Sequence, residues 1–500
     1  MTEPSAATNG VRGDDGVETA SRGSARHGSE TKKKKPFENV LIVGAGPAGL
    51  LLAILLARSG IPSTVLEAWD RPDERLRATQ YGVPATRVFR RAGLLDDMRA
   101  RGIDSFPYIC WRSARTGERI AGIDLSVVAD EPDRMTVLPL SQMLDIMVRH
   151  CRERYAEHVT LLFNHKVERV GQDDAGAWAE VRLLGGGGEE EEGGRTTTTA
   201  AADRVVRFGA DYLVGCDGSK STVRQCLFQR HWPGETFAGQ LLVQNVYYKG
   251  FEEHGWDGGN YMIDDEFWGL IAKRGKANNS SNSTTNGPLW RVTYGDLRSA
   301  ADEISEEEHI RRRAAAFKKL LPGHPDPSQY TVTQTSRFRI HNRCVDAMRV
   351  GRVLLAGDAA HVCNPFGGYG CMAAVLDVDG LADCLVGVYE GKAAADGGTA
   401  EGAEGAEGKE GKEEGKEGIL DAYARIRRQK FVDFVDRRSR KNMDRIARTD
   451  PDTALETDPF LRLLKSMEGN AERTKEFLLK VSSIEFDFTT LYSKTGAEEE

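Results

Sequence analysis

Three groups of glycine and aspartate residues, each at the end of an apolar run, have the types and spacing needed to bind a nucleotide. The first group is Gly44, Gly46 and Gly49 in VLIVGAGPAG, followed by Glu67 at the end of the next apolar run. Glycines between a strand and a helix let backbone amides approach a pyrophosphate, and an acid after the second strand accepts hydrogen bonds from ribose hydroxyls. The first group therefore predicts a dinucleotide site.

The second group is Asp217 and Gly218 in YLVGCDG. An Asp-Gly pair is a common connector between elements, so it carries little weight alone. Its position between the other two groups is what makes it informative.

The third group is Asp358 and the glycines Gly367, Gly368 and Gly370 in GRVLLAGDAAHVCNPFGGYG. A carboxylate at the end of a strand can bind a second ribose or a ribityl hydroxyl. The glycines leave bare backbone before a helix expected near Cys371, and amides at that helix N-terminus can stabilise negative charge on a reduced flavin ring. His361 in the same string is expected to cap the turn and not to act as an acid or base.

Together, these motifs resemble those of the class A, single-component FAD-dependent aromatic monooxygenases, the p-hydroxybenzoate hydroxylase superfamily. The likeness covers roughly residues 38–390, and the segment YARIRRQKF resembles the tail of fungal members that tailor aromatic polyketides and other phenols. The resemblance implies FAD as cofactor, with NAD(P)H as a transient co-substrate and O₂ as oxidant. It also implies hydroxylation of a small phenolic or other electron-rich aromatic substrate through a flavin hydroperoxide.

The resemblance also implies roles for particular residues. Asp217 and Gly218 correspond to a motif linked to both FAD and nicotinamide binding. Residues that correspond to the family's FAD contacts are Gly44, Gly46, Gly49, Glu67, Arg77, Gln142, Asp358, Gly367, Gly368 and Gly370. The chain departs from the family pattern at three places, with Asn364-Pro365 for Pro-Pro, Met372 for a frequent Asn, and Leu140 for a polar residue.

Aromatic, strand-like runs between residues 241 and 294 predict a sheet that roofs the flavin and lines the substrate pocket. The predicted substrate contacts are Tyr248, Trp268, Trp290 and His341, although any aromatic residue here can equally be ordinary core. Tyr261 and Arg291 are the predicted catalytic residues, because a nearby hydroxyl or guanidinium promotes formation of a nucleophilic phenolate. Tyr261 and Trp268 keep the seven-residue spacing found in the resembled hydroxylase.

Two other functions use related folds. A flavin reductase or halogenase is one alternative, and the paired-tryptophan halogenase signature WxWxIP is absent from the chain. A flavin-free carrier for proteins or lipids is the other, although such a carrier does not need the charged contact that Asp358 offers.

The predicted fold class is α/β, with a Rossmann-like FAD-binding domain, an interleaved mixed or antiparallel β-sheet substrate domain and a C-terminal helical region. The order and composition of the segments predict the following division: a disordered tail over 1–36; the first part of the FAD-binding domain over 37–225, with a low-complexity insertion over 185–203; the sheet domain over 226–335, with an insertion over 275–287; the Gly-Asp segment over 336–390; an insertion over 391–418; and the helical region over 419–500.

Composition and sequence patterns limit the possible binding partners and the expected cellular location of the protein. A formal net charge of -8 gives no indication of nucleic-acid binding. We expect no membrane span, because no apolar run reaches the length of one, and no metal, because no ligand cluster appears. The N-terminus lacks a signal-peptide pattern, so a cytoplasmic location with reduced cysteines is expected. The lysine run 32–35 is read as part of a solvated tail, with a nuclear signal or a lipid-contacting patch as the alternative.

Overall fold

The computed structural model describes residues 35–102, 106–184, 189–192, 195–198, 204–274, 288–296, 305–396, 418–480 and 483–492. By its contacts the chain divides into Met1–Lys35 and Pro36–Glu500, and every element below belongs to the second unit. Most of the predicted disordered tail and of the three low-complexity insertions therefore lies outside the described residues. Within the first insertion, the backbone of 189–192 pairs with that of 195–198.

The helices of the described ranges fall between the strands of two large sheets and then continue to the C-terminus. They are α1 Pro47–Arg58, α2 Val83–Arg91, α3 Leu95–Arg101, α4 Leu140–Arg149, α5 Thr222–Phe228, α6 Gly250–Glu253, α7 Glu306–Leu320, α8 Tyr369–Tyr389, α9 Ile419–Lys430, α10 Arg437–Arg448, α11 Ala454–Thr457, α12 Pro459–Met467 and α13 Ala471–Leu479.

The strands alternate with these helices through the first four fifths of the chain. They are β1 Val40–Val43, β2 Ser63–Leu66, β3 Gln80–Tyr81, β4 Tyr108–Ser113, β5 Arg119–Asp124, β6 Thr136–Val137, β7 Val159–Leu162, β8 His165–Asp173, β9 Gly176–Leu183, β10 Glu189–Glu192, β11 Arg195–Thr198, β12 Val205–Ala210, β13 Tyr212–Gly215, β14 Gly234–Tyr247, β15 Gly259–Ile263, β16 Gly269–Lys273, β17 Trp290–Asp296, β18 Thr331–Cys344, β19 Arg349–Val350, β20 Val353–Leu355 and β21 His361–Val362.

A six-stranded sheet carries the three glycine-aspartate groups. Its order is β19-β20-β13-β1-β2-β7, and all its neighbours are parallel except β19 and β20. Strands β1, β13 and β20 are wholly buried, because α1 and α8 cover the sheet with apolar side chains. Since β1, β2, β13 and β20 run in the same direction, the turns that follow them meet at one edge. The predicted Rossmann-like α/β fold is confirmed.

An eight-stranded mixed sheet in the order β21-β18-β14-β17-β16-β15-β4-β5 forms the second layer. Alternate residues point to opposite faces, so each strand contributes to both. We call the face that carries Tyr261, Trp268 and Arg291 the front face, and the face that carries Met262 and Val292 the rear face. The rear face packs on α7, with Phe317 and Leu320 in the same cluster.

The large sheet draws strands from outside its predicted range. Strands β4 and β5 lie within the segment assigned from sequence to the FAD-binding domain, yet β4 pairs in parallel with β15. The second half of β18 likewise extends past residue 335. This difference arises because sheet pairing is a long-range property that local composition does not reveal.

The C-terminal region is helical, as predicted. Helices α9 and α10 are joined through Phe431–Asp436, which forms a wider helical turn. Helix α10 then lies against β15, and α12 lies against β5. The C-terminal helices thus close one side of the front face.

Candidate flavin and substrate site

The turn after β1 has room only for glycine at two of its three predicted positions. Gly44 has a φ of +103°, and a Cβ there would lie 2.6 Å from the carbonyl oxygen of Cys216. A Cβ on Gly49 would lie 2.0 Å from the carbonyl oxygen of Gly44. At Gly46, by contrast, a Cβ would meet nothing within 4 Å. Helix α1 begins there with no side chain capping it, so its first amides face open space.

Glu67 ties the end of β2 to this turn. Its Oε2 accepts a hydrogen bond of 2.7 Å from the amide of Ala45, and its Oε1 accepts one of 3.0 Å from the amide of Trp69. The carboxylate therefore lies beside the N-terminus of α1, with lone pairs remaining for hydroxyl donors.

The Asp-Gly turn after β13 is held by its own side chain. Oδ2 of Asp217 accepts hydrogen bonds from the amides of Thr222 (2.7 Å) and Val223 (3.2 Å), while Oδ1 is buried without a partner. Burial raises the pKa of Asp217 against the opposing effect of these bonds. Gly218 has a φ of +78°, which explains the glycine.

Asp358 lies after β20 in a recess of the protein surface. Its side chain is accessible to solvent, although many protein atoms lie around it. Burial in that recess raises the pKa of Asp358, and the nearby His361, Arg77 and Arg224 oppose the shift. Arg224 donates to the carbonyls of Ala359 (3.1 Å) and Ser219 (2.8 Å). One guanidinium thereby joins the Asp-Gly turn to the Gly-Asp turn.

The glycine loop leads into α8 in a left-handed conformation. Gly367 and Gly368 have φ of +109° and +69°, and no side chain caps the helix that starts at Tyr369. Asn364, which replaces the expected proline, is buried and accepts a hydrogen bond of 3.1 Å from the amide of Phe366. An asparagine therefore fixes the entry to the loop by a local turn. Gly370 has only the Sγ of Cys363, at 3.9 Å, near its Cβ direction.

Arg77 and Gln142 lie near the start of α4. The Arg77 guanidinium stacks over Phe338 at 5.0 Å and approaches Asp73 at 3.6 Å. The amide of Leu140 donates to the carbonyl of Ala78, which brings the exposed Gln142 close to this segment.

The donors and acceptors at this edge fit FAD. Two carboxylates, Glu67 and Asp358, can accept from hydroxyl groups, and two uncapped helix N-termini, of α1 and α8, offer amides to phosphate and to an electron-rich ring. The open space at Gly46 admits a pyrophosphate next to the backbone. These are the groups that a flavin dinucleotide requires at its two ends and its middle.

On the front face, Tyr261 lies at the glycine loop. Its ring stacks on Trp111 with centroids 5.0 Å apart, and the Gly367 backbone lies near enough to its hydroxyl to oppose the rise in the pKa of Tyr261. Burial raises the pKa of Tyr261 to about 12, so the hydroxyl keeps its proton at neutral pH. Trp268 is buried on the same face and meets Phe366 edge-on at 5.4 Å.

Arg291 lies on the same face of β17. It is 9 % exposed, and Nη1 donates to the Arg77 carbonyl. Burial lowers the pKa of Arg291 to about 9, with the neighbouring Arg274 acting in the same direction. The two predicted catalytic residues therefore share one face with Trp268.

Three predicted substrate contacts lie elsewhere. Tyr248 and Trp290 belong to the rear-face cluster, where Tyr248 donates to the Pro322 carbonyl (2.6 Å) and Trp290 donates to Glu252 (3.1 Å). His341 pairs with Thr236 at 2.9 Å on the exposed side of β18. The prediction that these three residues line the pocket is wrong. Neighbouring residues of a strand point to opposite faces of the sheet, and the residues next to these three are the ones that lie on the front face.

Several residues around the site carried too little local signal to be found from the sequence. Trp111 reaches Tyr261 only because β4 pairs with β15, with these two residues opposite each other. Asn442 on α10 donates to the Phe366 carbonyl at 3.3 Å, which links the C-terminal helices to the glycine loop. Spacing alone did not indicate either residue.

His361 is packed in the interior. It is 2 % exposed, its ring stacks on Phe431 at 4.2 Å, and Nε2 lies 2.7 Å from Oδ2 of Asp377. Among the described residues, no group of three or more histidine, cysteine or acidic side chains is arranged to hold a metal. Within those ranges, too, no helix has the length and apolar character to cross a membrane.

Comparison with known proteins agrees with this geometry. Residues 38–401 match the family described as FAD binding domain. Para-nitrophenol 4-monooxygenase from Pseudomonas sp. strain WBC-3 is 32% identical over 452 residues, which cover 90% of this chain and 96% of that protein. The 6-hydroxy-3-succinoylpyridine 3-monooxygenase of Pseudomonas putida strain S16 is 31% identical over 409 residues, covering 81% of this chain and 88% of that protein.

A solved structure of a related monooxygenase is similar to this chain in both fold and sequence. The crystal structure of p-nitrophenol 4-monooxygenase from Pseudomonas putida DLL-E4 superposes with a TM-score of 0.70 at 31% identity, covering 88% of this chain and 96% of that one. The match extends over most of both chains. The protein therefore belongs to the class A FAD-dependent aromatic monooxygenases.

Proposed function

We propose that the protein hydroxylates a phenol at the front face of the large sheet, consuming NAD(P)H and O₂. When bound, FAD supplies the activation of O₂ and the transfer of one oxygen atom to the ring. The names of the two relatives, which act on para-nitrophenol and on a hydroxylated pyridine, support a ring that already carries a hydroxyl group. The alternatives of a carrier, a reductase and a halogenase have no comparable support.

The observation that carries the proposal is the position of Tyr261. Its hydroxyl lies beside the backbone of Gly367 in the glycine loop, where it can donate its proton to a substrate oxygen. Because its pKa is about 12, Tyr261 acts as a hydrogen-bond partner that orients the phenol and not as a base that is ionised at rest.

The walls of the front face suit a flat ring. Trp111 and Trp268 present indole surfaces on either side of the Tyr261 strand, and Phe366 closes the side next to the glycine loop. Aromatic walls favour an aromatic substrate through offset stacking and exclude water from the reacting carbon. Glu67, Asp358 and the N-terminus of α1 are the groups proposed to hold the dinucleotide, with Arg77 and Gln142 beside them.

The test is oxygen incorporation. Purified, FAD-loaded protein is given NADH or NADPH, 4-nitrophenol and isotopically labelled O₂. We expect faster nicotinamide oxidation and one labelled oxygen atom in the aromatic product, with nitrobenzene, which lacks the hydroxyl, as the matched control. Nicotinamide oxidation without a labelled product across a panel of phenols would contradict the proposal.

A further inference from the structure

Strand β14 carries a bulge near its start, where its pairing with β18 is interrupted. Thr236 pairs with His341 and Gln240 pairs with Arg339, so three residues of β14 stand opposite a single residue of β18. A bulge bends its strand and turns a side chain in a new direction, and bulges are over-represented next to active sites. The large side chain in this bulge is that of Phe237.

Glycines with positive φ flank the residues around Phe237. Gly234 has a φ of +127° and Gly239 has one of +83°, angles that glycine adopts at little cost. Residues 235–238 lie between them and are called the bulge segment below. They are exposed except for Phe237, which is half-buried. Large backbone rotations in a moving loop are absorbed at a few positions of this kind, so the segment has the form of a short flap.

Phe237 packs against the hydrophobic cluster that lines the front face. That cluster contains Trp268 and Phe366, which are two of the aromatic walls of the proposed substrate site. The indole of Trp268 extends toward β14, because a Cβ on Gly295 would lie 2.2 Å from it and Gly295 pairs with Leu241. Leu241 belongs to the same cluster and lies four residues after Phe237. Phe237 therefore contacts solvent on one side and the lining of the front face on the other.

Arg440 of α10 holds the bulge segment from outside. Its guanidinium lies over the ring of Phe237 at 5.1 Å, and Nη1 donates a hydrogen bond of 2.6 Å to Glu235. Its Nε donates to both carboxylate oxygens of Asp436, at 3.0 and 3.1 Å. The side chain of Glu235 is 54% exposed and that of Arg440 is 31% exposed. An ion pair this accessible to water is weak, so it can open and close.

The inner end of this contact is fixed. Oδ1 of Asp436 accepts a hydrogen bond of 2.7 Å from the buried side chain of Asn342, and Oδ1 of Asn342 accepts one of 2.9 Å from the amide of Asn364. Asn364 in turn accepts from the amide of Phe366. Buried hydrogen bonds thus anchor Arg440 to the glycine loop, and the exposed bulge segment is the side that can move.

We propose that Phe237 is the gate through which the aromatic substrate enters the front face, and that Arg440 is the positioning residue that keeps this gate closed. The inference rests on the proposed function, because the gate serves the site assigned there. When the ion pair between Glu235 and Arg440 opens, the bulge segment turns at its flanking glycines and a flat ring passes between β14 and α10. When the pair closes, the phenyl ring and the guanidinium exclude water from the site.

The test measures how fast a ligand enters and leaves, without turnover. Oxidised, FAD-loaded protein is mixed rapidly with 4-methylphenol, a neutral probe, and the flavin spectrum is followed. A gate acts on passage and not on the bound state, so its variants should raise the association and dissociation rate constants equally and leave the dissociation constant unchanged. Arg440→Gln, which removes the ion pair and the contact with the ring, should raise both rate constants about tenfold.

Two further variants separate the parts of the gate. Glu235→Gln removes the ion pair but keeps the guanidinium over the ring, so both rate constants should rise only about threefold. Phe237→Ala removes the ring itself. It should raise the association rate constant of 4-phenylphenol more than that of 4-methylphenol, because a wider opening matters most to the larger probe.

The matched control is Arg437→Gln, which changes an exposed arginine of the same helix that pairs with Asp433. It should leave both rate constants unchanged. Unchanged rate constants in Arg440→Gln would overturn the role of that residue. A weaker affinity caused by faster dissociation alone would make Phe237 a wall of the bound site and would overturn the gate.

A second measurement needs no ligand. Opening of the bulge segment exposes its amides, so deuterium exchange over residues 235–239 should be faster in Arg440→Gln and Glu235→Gln than in the wild type and in Arg437→Gln. Unchanged exchange would overturn the proposal even if no phenol binds. Faster exchange in a protein whose flavin spectrum responds to no phenol would support the moving segment and count against the proposed function alone.

Discussion

His361 and Asp377 form a buried pair, with Nε2 of the histidine 2.7 Å from Oδ2 of the aspartate. The other oxygen, Oδ1, accepts a hydrogen bond of 2.8 Å from Arg427, and Arg427 also donates to the carbonyl of Ile484 at 2.9 Å. Oδ2 additionally accepts from the amide of Gly357, next to Asp358. One carboxylate thus connects the Gly-Asp turn, α8 and the C-terminal helices.

Asp377→Asn should destabilise the protein by about 3 kcal/mol, because it leaves the buried Arg427 without its counter-charge. The measurement is the free energy of unfolding in urea. Asp433→Asn is the matched control, since Asp433 pairs with Arg437 at an exposed position. A similar small change in both variants would contradict a structural role for the buried pair.

The same carboxylate should contribute to acid denaturation. Burial alone would raise the pKa of Asp377, but His361 and Arg427 outweigh it, so the pKa lies below the usual 3.8. A depressed pKa gives stability that is present above the unfolded value and lost as pH falls through the folded value. Below about pH 3.9, the wild type should therefore lose stability more steeply than Asp377→Asn. Parallel curves in a series of urea titrations would exclude this contribution.

Asp358→Ala should weaken FAD binding by about 1.5–3 kcal/mol, or roughly ten- to hundredfold, because it removes the carboxylate proposed to hold a flavin hydroxyl. The quantity to measure is the dissociation constant of FAD by fluorescence quenching. Asp265→Ala, at an exposed position, serves as the control. Unchanged FAD affinity in Asp358→Ala would remove this residue from the cofactor site.

The nucleotide-binding edge could be predicted from the sequence because its signals are local. Gly49 is required by a contact with Gly44 inside one strand-turn-helix unit, and Glu67 acts on an amide of the same unit. The motif could therefore be recognised from one continuous stretch of chain, although the contact that requires Gly44 comes from Cys216 on a distant turn.

The residues that contact the substrate were predicted less well, because their assignment depends on which face of the large sheet is covered by helices. In a strand, Trp290 and Arg291 point in opposite directions, and both faces of this sheet are rich in aromatic residues. Only the packing of α7 on the rear face decides between them. Trp111 and Asn442 reach the site through pairing and packing between distant segments, which local patterns do not encode.

The C-terminal helices should affect coupling between nicotinamide oxidation and hydroxylation. Asn442 donates a hydrogen bond to the Phe366 carbonyl. Arg445 donates hydrogen bonds of 2.7 Å to the side chain of Asn442 and of 2.7 Å to the side chain of Asp458. Asn442→Ala should let the glycine loop shift and should lower product per NAD(P)H roughly tenfold, since small displacements are costly in oriented reactions. Lys441→Ala, exposed on the same helix, should leave the ratio unchanged. Equal ratios in both variants would show that α10 has no positioning role.

Tyr261→Phe should lower product formation much more than it lowers nicotinamide oxidation. Reduction by NAD(P)H needs the cofactor and a docking surface, whereas oxygen transfer needs the phenol to be oriented and activated. The variant keeps the ring that stacks on Trp111 but removes the hydroxyl at Gly367. The loss should be roughly 10²- to 10⁴-fold, the usual contribution of a positioned acid–base group.

The activated oxygen that is not transferred by the Tyr261→Phe variant should leave as hydrogen peroxide. The measurement is therefore the ratio of product to peroxide for each NAD(P)H consumed, in the wild type and in the variant. Tyr155→Phe, a tyrosine whose hydroxyl accepts a hydrogen bond from Arg58 at an exposed position, is the matched control and should keep the wild-type ratio. If Tyr261→Phe lowers nicotinamide oxidation and hydroxylation equally, with no additional peroxide, the hydroxyl group has no part in orienting the substrate. The front face would then act on the ring through its aromatic walls.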